Sequence, residues 1–321
     1  MKKLTLFFIP LCAWAQISGV AKNATTGTPQ GQVSITLVQP GAGGMQTLGK
    51  AVSDAEGKFR FDRVVPPGPA LLQGIFKDVT YTLVLQPGAP TENLTLSVYD
   101  TTNKLTSLKM EQHIFIFEPG DKDLQVTETF LMQNETQATF QDPIKGSVQV
   151  YVPNGVEPKE IGATVEGTAG MAIRRPLEKT GQPGIYKLAY AIKPGESRLD
   201  IHYSVPLAPK YAWKILRTDG PSRIATPSGV TMEGTGLRDL GMEPRSQAHL
   251  YEVVGSGFEA NIKGAGSLRT AENENAPKED DGSPKTEIVD ARVYTRIWWV
   301  MGLAFGILGL GGALLFRRGT A

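Results

Sequence analysis

Residues 53–61, SDAEGKFRF, predict a tight turn that leads directly into a β-strand. The carboxylate of Asp54 can close an Asx-type turn, and Gly57 can adopt the positive φ that such a turn needs. After the turn, Phe59 and Phe61 alternate with charged residues, which is the pattern of a strand with one buried face. We therefore expect the turn to deliver both aromatic rings to the core of a β-sheet.

The same two-residue period continues on both sides of this turn. In one segment, Val33, Ile35 and Leu37 fall on a single predicted face. Segments of this kind, separated by turn residues, are found at 17–21, 33–37, 47–53, 58–62, 70–76, 79–84 and 94–98. Short, closely spaced strands are typical of an antiparallel β-sandwich, and we assign this first module to residues 16–103.

Two groups of residues in this module carry a resemblance to a known family. The first is ISGVAKNATTGTP at 17–29, and the second is SDAEGKFRF at 53–61 with VPPG at 65–68. Together they resemble the carboxypeptidase regulatory-like (transthyretin-like) β-sandwich family. Ser53 stands where that family usually has threonine, and Ala21 where it usually has a second valine. The resemblance implies a β-sandwich that serves as an accessory module.

Some folds related to this family bind carbohydrate, which provides an alternative function for the module. Under that alternative, the rings of Tyr81 and Tyr99 would stack on a sugar. The other interpretation is that both rings cover the edges of the sheet. Both interpretations are open at this point.

A second and larger β pattern occupies residues 104–269. The predicted strands are 113–117, 124–130, 148–152, 186–190, 199–205, 212–216, 229–233, 249–254 and 258–262. We expect about eight to ten strands in a second antiparallel β-sandwich. Cys12 is the only cysteine, so the Cys…Trp…Cys frame of immunoglobulin domains is absent from the sequence. The predicted fold class is all-β, with two tandem antiparallel β-sandwich domains and one C-terminal transmembrane α-helix.

The two ends of the chain predict export and membrane anchoring. Residues 1–15 have the form of a signal peptide, with two lysines, an apolar stretch and an Ala-Trp-Ala cleavage site. Residues 297–316, IWWVMGLAFGILGLGGALLF, are uncharged and long enough to cross a bilayer as an α-helix. Acidic, proline-containing residues 270–296 predict a disordered linker, and residues 317–321 predict a cytoplasmic tail.

These segments predict a single-pass protein of the bacterial cytoplasmic membrane with its N-terminus outside. The bulk of the chain would then lie in the periplasm or the extracellular space. Gly302, Gly306 and Gly309 form a stripe on the predicted helix that favours close packing against another helix. The balanced net charge of +1, without a basic patch, argues against a nucleic acid as partner.

The sequence predicts no catalytic, cofactor-binding or metal-binding residues, and therefore no enzyme. His113, His202 and His249 are far apart and lack the spacing of metal ligands. The sequence also contains no G-x-S-x-G segment. A hydrolase would require His202 or His249 to meet carboxylates in the folded chain.

The predicted function is that of a non-catalytic scaffold or accessory protein that holds an envelope protein partner near the membrane. Arg238 and Arg245 are candidate contact residues, in a glycine-rich stretch that we expect to be an irregular loop. Arg174 and Arg175 are candidates for gripping an acidic partner. The alternative is a carbohydrate- or cell-wall-binding surface protein that uses the first module.

Overall fold

The computed structural model describes residues 17–41, 44–62, 68–153, 161–167 and 172–268. Within these ranges nearly all regular structure is β-strand, and the one other element is a 3₁₀ turn at Leu105–Ser107. In the same ranges, no helix has the length and hydropathy needed to cross a membrane. The predicted signal peptide, linker, membrane helix and tail all lie outside the described residues.

The N-terminal part of the chain forms two four-stranded sheets. Each of the seven predicted strands is present, and a short strand is added. In one sheet β1 pairs with β2, β5 and β8, and in the other the order is β4-β3-β6-β7. The strands are β1 (Ile17–Asn23), β2 (Thr28–Pro29), β3 (Ser34–Gly41), β4 (Gly44–Val52), β5 (Lys58–Phe61), β6 (Ala70–Phe76), β7 (Val79–Leu85) and β8 (Leu94–Val98).

The turn predicted at Asp54 is confirmed. The backbone N–H of Lys58 donates to Asp54 Oδ1 at 2.7 Å, and Gly57 has a φ of +74°. The turn brings Phe59 and Phe61 into the core, where their rings meet edge to face with centroids 6.2 Å apart. A local carboxylate and one glycine therefore set the direction of β5.

Both N-terminal sheets contribute to one hydrophobic cluster, because alternate residues of each strand point inward. Each buried apolar side chain contributes about 1.5–3 kcal/mol of hydrophobic stabilisation, so this cluster is the main support of the two sheets. Its members are Ile17, Ala21, Val33, Ile35, Leu37, Phe59, Phe61, Ala70, Leu72, Val79, Tyr81, Leu85, Leu96 and Val98.

A short polar junction joins this part of the chain to the next. The strands β9 (Thr101–Thr102) and β12 (Thr139–Phe140) pair in parallel across it. Asp100 Oδ1 accepts hydrogen bonds from Lys77 Nζ at 2.8 Å and from Asn23 Nδ2 at 3.2 Å. The described residues on both sides of this junction belong to one compact unit.

The remaining strands build three sheets. The largest has eight strands in the order β15-β14-β18-β11-β10-β20-β23-β22, and the two smaller ones have the orders β19-β24-β21 and β13-β17-β16. The strands are β10 (Leu108–Pro119), β11 (Asp123–Asn134), β13 (Val148–Tyr151), β14 (Gly162–Glu166), β15 (Ala172–Pro176), β16 (Glu178–Lys179), β17 (Ile185–Leu188), β18 (Gly195–Pro206), β19 (Tyr211–Lys214), β20 (Ser222–Thr226), β21 (Thr231–Thr235), β22 (Leu237–Met242), β23 (His249–Val253) and β24 (Gly257–Lys263).

The three central strands β10, β11 and β18 of the large sheet are each 12 residues long, and β11 runs antiparallel to both of its neighbours. Their inward side chains share a second hydrophobic cluster with residues of the β19-β24-β21 sheet. Aromatic rings dominate the contact. Trp213 stacks on Phe258 with centroids 5.6 Å apart, and Phe117 packs against Trp213 at 4.8 Å.

Two features of the strand prediction are wrong. The sheets are mixed, because β8 runs parallel to β1 and β20 runs parallel to β10, whereas only antiparallel pairs were expected. Four strands of the large sheet (β14, β15, β20 and β22) were not predicted. Local alternation reports which residues share a face, but it does not report which distant strand becomes the neighbour.

The close approach of β21 to β24 requires a glycine. A Cβ on Gly234 would overlap the carbonyl oxygen of Glu259, whereas a Cβ on Gly162, in β14, meets no atom within 4 Å. We expect Gly234→Ala to lower the free energy of unfolding by about 1–3 kcal/mol through overpacking. Gly162→Ala is the matched control and should change the free energy of unfolding by less than about 0.5 kcal/mol. Urea unfolding measures both, and equal effects would contradict this account.

The junction should make stability depend on pH through Asp100. The hydrogen bond from Lys77, helped by the one from Asn23, lowers the pKa of Asp100 although partial burial opposes this. A lowered folded-state pKa means that the stabilisation is complete above the unfolded pKa of about 3.9 and is lost as pH falls through the folded pKa. The stability difference between wild type and Asp100→Asn should therefore shrink on acidification below about pH 4. A difference in unfolding free energy that is constant with pH would contradict this.

Candidate functional site

A cluster of polar side chains lies inside the second hydrophobic core. We call Ser222, His113, Glu128, Tyr203 and Trp213 the core polar cluster. The side chains of His113 and Glu128 are only 2% and 4% exposed. Ionisable groups are rarely buried to this extent unless they are paired, so the cluster is the strongest departure from an apolar core.

The strand register brings the first three of these residues together. His113 of β10 lies opposite Ser222 of the parallel strand β20, and opposite Phe130 of the antiparallel strand β11. Glu128 is two residues before Phe130 and so points to the same face of the sheet. Three neighbouring strands thus each contribute one polar side chain to the inward face.

The geometry of the cluster centres on the imidazole. His113 Nε2 lies 2.7 Å from Glu128 Oε1, and Nδ1 lies 3.0 Å from Ser222 Oγ. Phe130 stacks on the imidazole at a centroid distance of 4.2 Å, and Phe115 packs against it at 4.5 Å. Both ring nitrogens are therefore engaged, and aromatic rings cover the imidazole.

Tyr203 and Trp213 extend the cluster toward the opposite sheet. Trp213 Nε1 donates to the hydroxyl oxygen of Tyr203 at 3.1 Å. Burial raises the pKa of Tyr203 well above its ordinary value, and the nearby carboxylate of Glu128 raises it further, so the phenol stays protonated. Among the described residues, Glu128 Oε2 has no well-formed hydrogen bond. This buried oxygen is the one side-chain polar atom of the core polar cluster that lacks a hydrogen-bond partner among the described residues.

Serine, histidine and a carboxylate are also the residue types of a nucleophile, its base and the acid that orients the base. Ser222 borders an open cleft of about 360 Å³, but only 6% of the residue is exposed. Its hydroxyl is turned toward an imidazole that is enclosed by phenylalanine rings. The arrangement is therefore suited to holding β10, β11 and β20 in register.

Of the other two histidines, His202 is exposed and His249 is half-buried. His249 Nε2 is 2.7 Å from Asp239 Oδ1, and this hydrogen bond is the main cause that lowers the pKa of Asp239. His202 Nδ1 is 3.1 Å from the hydroxyl of Thr127. His249 thus meets one carboxylate. In the part of the chain that the structure describes, no group of three His, Cys, Asp or Glu residues is placed to hold a metal ion.

The structure shows where the two tyrosines of the carbohydrate alternative lie. Tyr81 is 2% exposed, and its hydroxyl bonds the carbonyl of Tyr99 at 3.0 Å and the hydroxyl of Thr139 at 2.9 Å. Tyr99 is partly buried beside it, at a centroid distance of 5.8 Å. Tyr81 serves the junction, and burial leaves its ring without a free face for a sugar.

The structure also corrects the prediction of an irregular loop around Arg238. Residues Leu237–Met242 form β22, an edge strand of the large sheet, with a bulge between Asp239 and Gly241. Arg238 forms an ion pair with Glu252 on the adjacent strand. Arg245 lies in the exposed turn that follows. Gly302, Gly306 and Gly309 lie outside the described residues.

One signal of the core polar cluster was present in the sequence. His113 is in phase with Phe115 and Phe117, and Glu128 is in phase with Val126 and Phe130. An ionisable residue in the buried phase of a strand implies a buried partner. Ser222 carried no such signal, because its strand was not predicted.

Comparison with known proteins assigns the chain to no family. No protein-family model and no curated protein matches it. Three crystal structures of an M1 zinc metallopeptidase from Deinococcus radiodurans are similar to part of the chain, one of them a mutant bound to a Tyr-Ser-Ala substrate. Identity is 13–14%, the TM-score is 0.26–0.27, and the match covers 48% of this chain. The chain spans 42% of each peptidase chain, and a similarity this weak carries no functional argument.

A double-mutant cycle tests whether His113 and Glu128 of the core polar cluster are energetically coupled. His113→Leu leaves the buried carboxylate of Glu128 without its partner and should lower the free energy of unfolding by about 3–5 kcal/mol. Glu128→Leu leaves an unpaired imidazole nitrogen and should cost about 1–3 kcal/mol. The double variant should be more stable than the sum of the two losses predicts, because two apolar groups can replace a buried pair. His202→Leu, a histidine change on the outer face, should cost less than about 0.5 kcal/mol.

Strict additivity of the two single losses in urea unfolding would refute the coupling. A second measurement addresses catalysis directly. We expect a fluorophosphonate probe to leave Ser222 of the full-length protein unlabelled, because its hydroxyl is enclosed. Labelling that is abolished by Ser222→Ala would instead identify a nucleophile and contradict a purely structural role.

Proposed function

We propose that the protein is a non-catalytic, membrane-anchored accessory or scaffold protein of the bacterial envelope. In this proposal two β-sandwich modules, the first of the carboxypeptidase regulatory-like type, face partner proteins outside the cytoplasm. The signal peptide and membrane helix predicted from the sequence support the location. The structural observation that carries the proposal is the open edge of the eight-stranded sheet at β22.

The edge at β22 has the properties of a protein-binding strand. Its outer side pairs with none of the strands in the described ranges, so its outward backbone N–H and C=O groups can accept another strand, apart from the N–H of Gly241, which donates to Asp239 Oδ1 at 2.7 Å. Leu240 and Met242 are 46% and 50% exposed on it. Strand addition uses such an edge for affinity and its neighbouring side chains for specificity.

The charges on this edge are already paired within the chain. Arg238 is bound to Glu252, and Asp239 to His249. Arg245 lies exposed in the turn that follows β22. Of the two predicted contact residues, Arg238 and Arg245, it is the one offered to a partner in this proposal. The edge therefore offers backbone groups and apolar side chains more than net charge.

Chemical crosslinking in intact cells, followed by mass spectrometry, tests the proposal. We expect reproducible links from the large sheet to one membrane-associated protein partner. The variant Leu240→Lys/Met242→Lys should reduce those links about tenfold, since contacts at the centre of an interface dominate its energy. Ile144→Lys, at an exposed position off this edge, should leave the links unchanged.

Links that survive the β22 variant would contradict the role of this edge. Links between copies of the chain alone, together with sedimentation of the protein on cell-wall polysaccharide, would overturn the scaffold proposal. The second result would support a surface protein that binds carbohydrate.

A further inference from the structure

We propose that the opposite edge of the large sheet, strand β15, binds an extended acidic segment of a partner protein. This inference rests on the proposed function, because it assumes that the protein engages protein partners. It specifies which kind of ligand a second contact surface would bind. We call this surface the arginine edge; it consists of Ala172–Pro176, with Arg174 and Arg175 near its centre.

The arginine edge is the outer side of the last described strand of the sheet. β15 is the outermost strand of the sheet and pairs with β14 alone among the described strands. All five of its residues are exposed. Pro176 closes the strand, and a proline is tolerated at an edge because its missing N–H is not needed there.

The two arginines point to opposite faces of the strand, as successive residues of a β-strand do. Arg174 lies opposite Thr164, and Arg175 lies opposite Ala163, so neither has a carboxylate across the strand pair. The nearest carboxylate in the row of Arg174 is Asp200, which is held by Arg198 at 2.9 Å and by Thr129 at 2.6 Å. Within the described ranges, neither arginine forms an ion pair.

The positive charge of Arg175 acts on the phenol of Tyr190, where it opposes the rise in the pKa of Tyr190 that burial causes. A cation beside a phenol retains its capacity to bind a carboxylate. Arg238 at the other edge of the sheet differs, because its charge is neutralised by Glu252. The two edges of one sheet are therefore chemically distinct.

An extended segment suits this pair better than a compact acidic surface. A strand added beside β15 lies about 4.8 Å away, and its successive side chains alternate between the two faces. Two consecutive acidic residues would then each meet one arginine, with bidentate geometry available to both. Glu166, which lies opposite Ala172, would repel an acidic residue at the far end of the strand. The preferred ligand has its acidic pair opposite Arg174 and Arg175 only.

Another role for arginines at a sheet edge is to prevent edge-to-edge aggregation. In that role they need no ligand, and their replacement would promote self-association. The test must therefore measure ligand binding and aggregation in the same variants.

Fluorescence polarisation with the full-length protein in detergent micelles provides the test. The probe is a labelled ten-residue peptide of threonine and valine with a central Glu-Glu pair. Two control peptides carry Lys-Lys at the centre, or prolines on both sides of the Glu-Glu pair to block strand addition. The protein variants are Arg174→Glu and Arg175→Glu. Arg223→Glu is the matched control, an exposed arginine of β20 that lies away from either edge.

We expect each β15 variant to weaken binding of the Glu-Glu peptide at least tenfold, and Arg223→Glu to weaken it less than twofold. The Lys-Lys and proline peptides should bind at least tenfold more weakly than the Glu-Glu peptide. Equal binding of the proline peptide would overturn strand addition. Equal loss in Arg223→Glu would overturn the assignment to this edge. Absence of Glu-Glu binding, with aggregation of the β15 variants in analytical ultracentrifugation, would show that the arginines only protect the edge.

Failure of this inference can be distinguished from failure of the proposed function, because the peptide-binding and crosslinking experiments probe different edges of the sheet. Peptide binding at the arginine edge would stand even if the crosslinks expected at β22 were absent. Conversely, crosslinks at β22 without peptide binding would leave the scaffold proposal intact and remove this inference alone.

Discussion

The hydrogen bond between His113 and Glu128 constrains the larger part of the fold. It joins β10 to β11 inside an apolar layer, and the second imidazole nitrogen reaches Ser222 of β20. A buried pair of this kind adds little net stability compared with apolar residues, but it is costly to break. A slip of one residue is already excluded by hydrophobic burial, because it would turn all inward side chains outward, whereas a slip of two residues would keep the apolar face inward and separate His113 from Glu128. The pair therefore selects one register out of several that hydrophobic burial alone would allow.

The same constraint shapes the surfaces of the sheet. Because β10, β11 and β18 are long and held in register, the strands on either side extend the sheet to two open edges. The edges differ in chemistry. β22 carries exposed leucine and methionine with internally paired charges, and β15 carries two arginines that form no ion pair with another described residue. In the proposed function, these two edges would serve as contact surfaces of different specificity.

The N-terminal sheets are connected to this arrangement through polar contacts. Tyr81 illustrates the principle, because its ring belongs to the first hydrophobic cluster while its hydroxyl reaches Thr139 in the second part of the chain. Lys193 contributes from the other side, with its ammonium group 5.4 Å from the centre of the Tyr81 ring. Burial lowers the pKa of Lys193, which marks the junction as a desolvated contact. Tyr81, for which the sequence left sugar stacking and edge covering open, is thus a structural link.

Local chemistry determined the all-β character of this protein, the turn at Asp54 and the inward phase of strands such as β3 and β5. Each of these depends on residues within a few positions of one another, so the sequence suffices to predict them. Only the tertiary structure decided that β20 runs beside β10, that Arg238 lies on an edge strand, and that Tyr81 is buried. Ser222 and His113 are 109 residues apart, and their contact depends on the pairing of whole strands. Strand pairing is set by the summed burial of two sheets and by a few buried polar partners, and no local pattern encodes that sum.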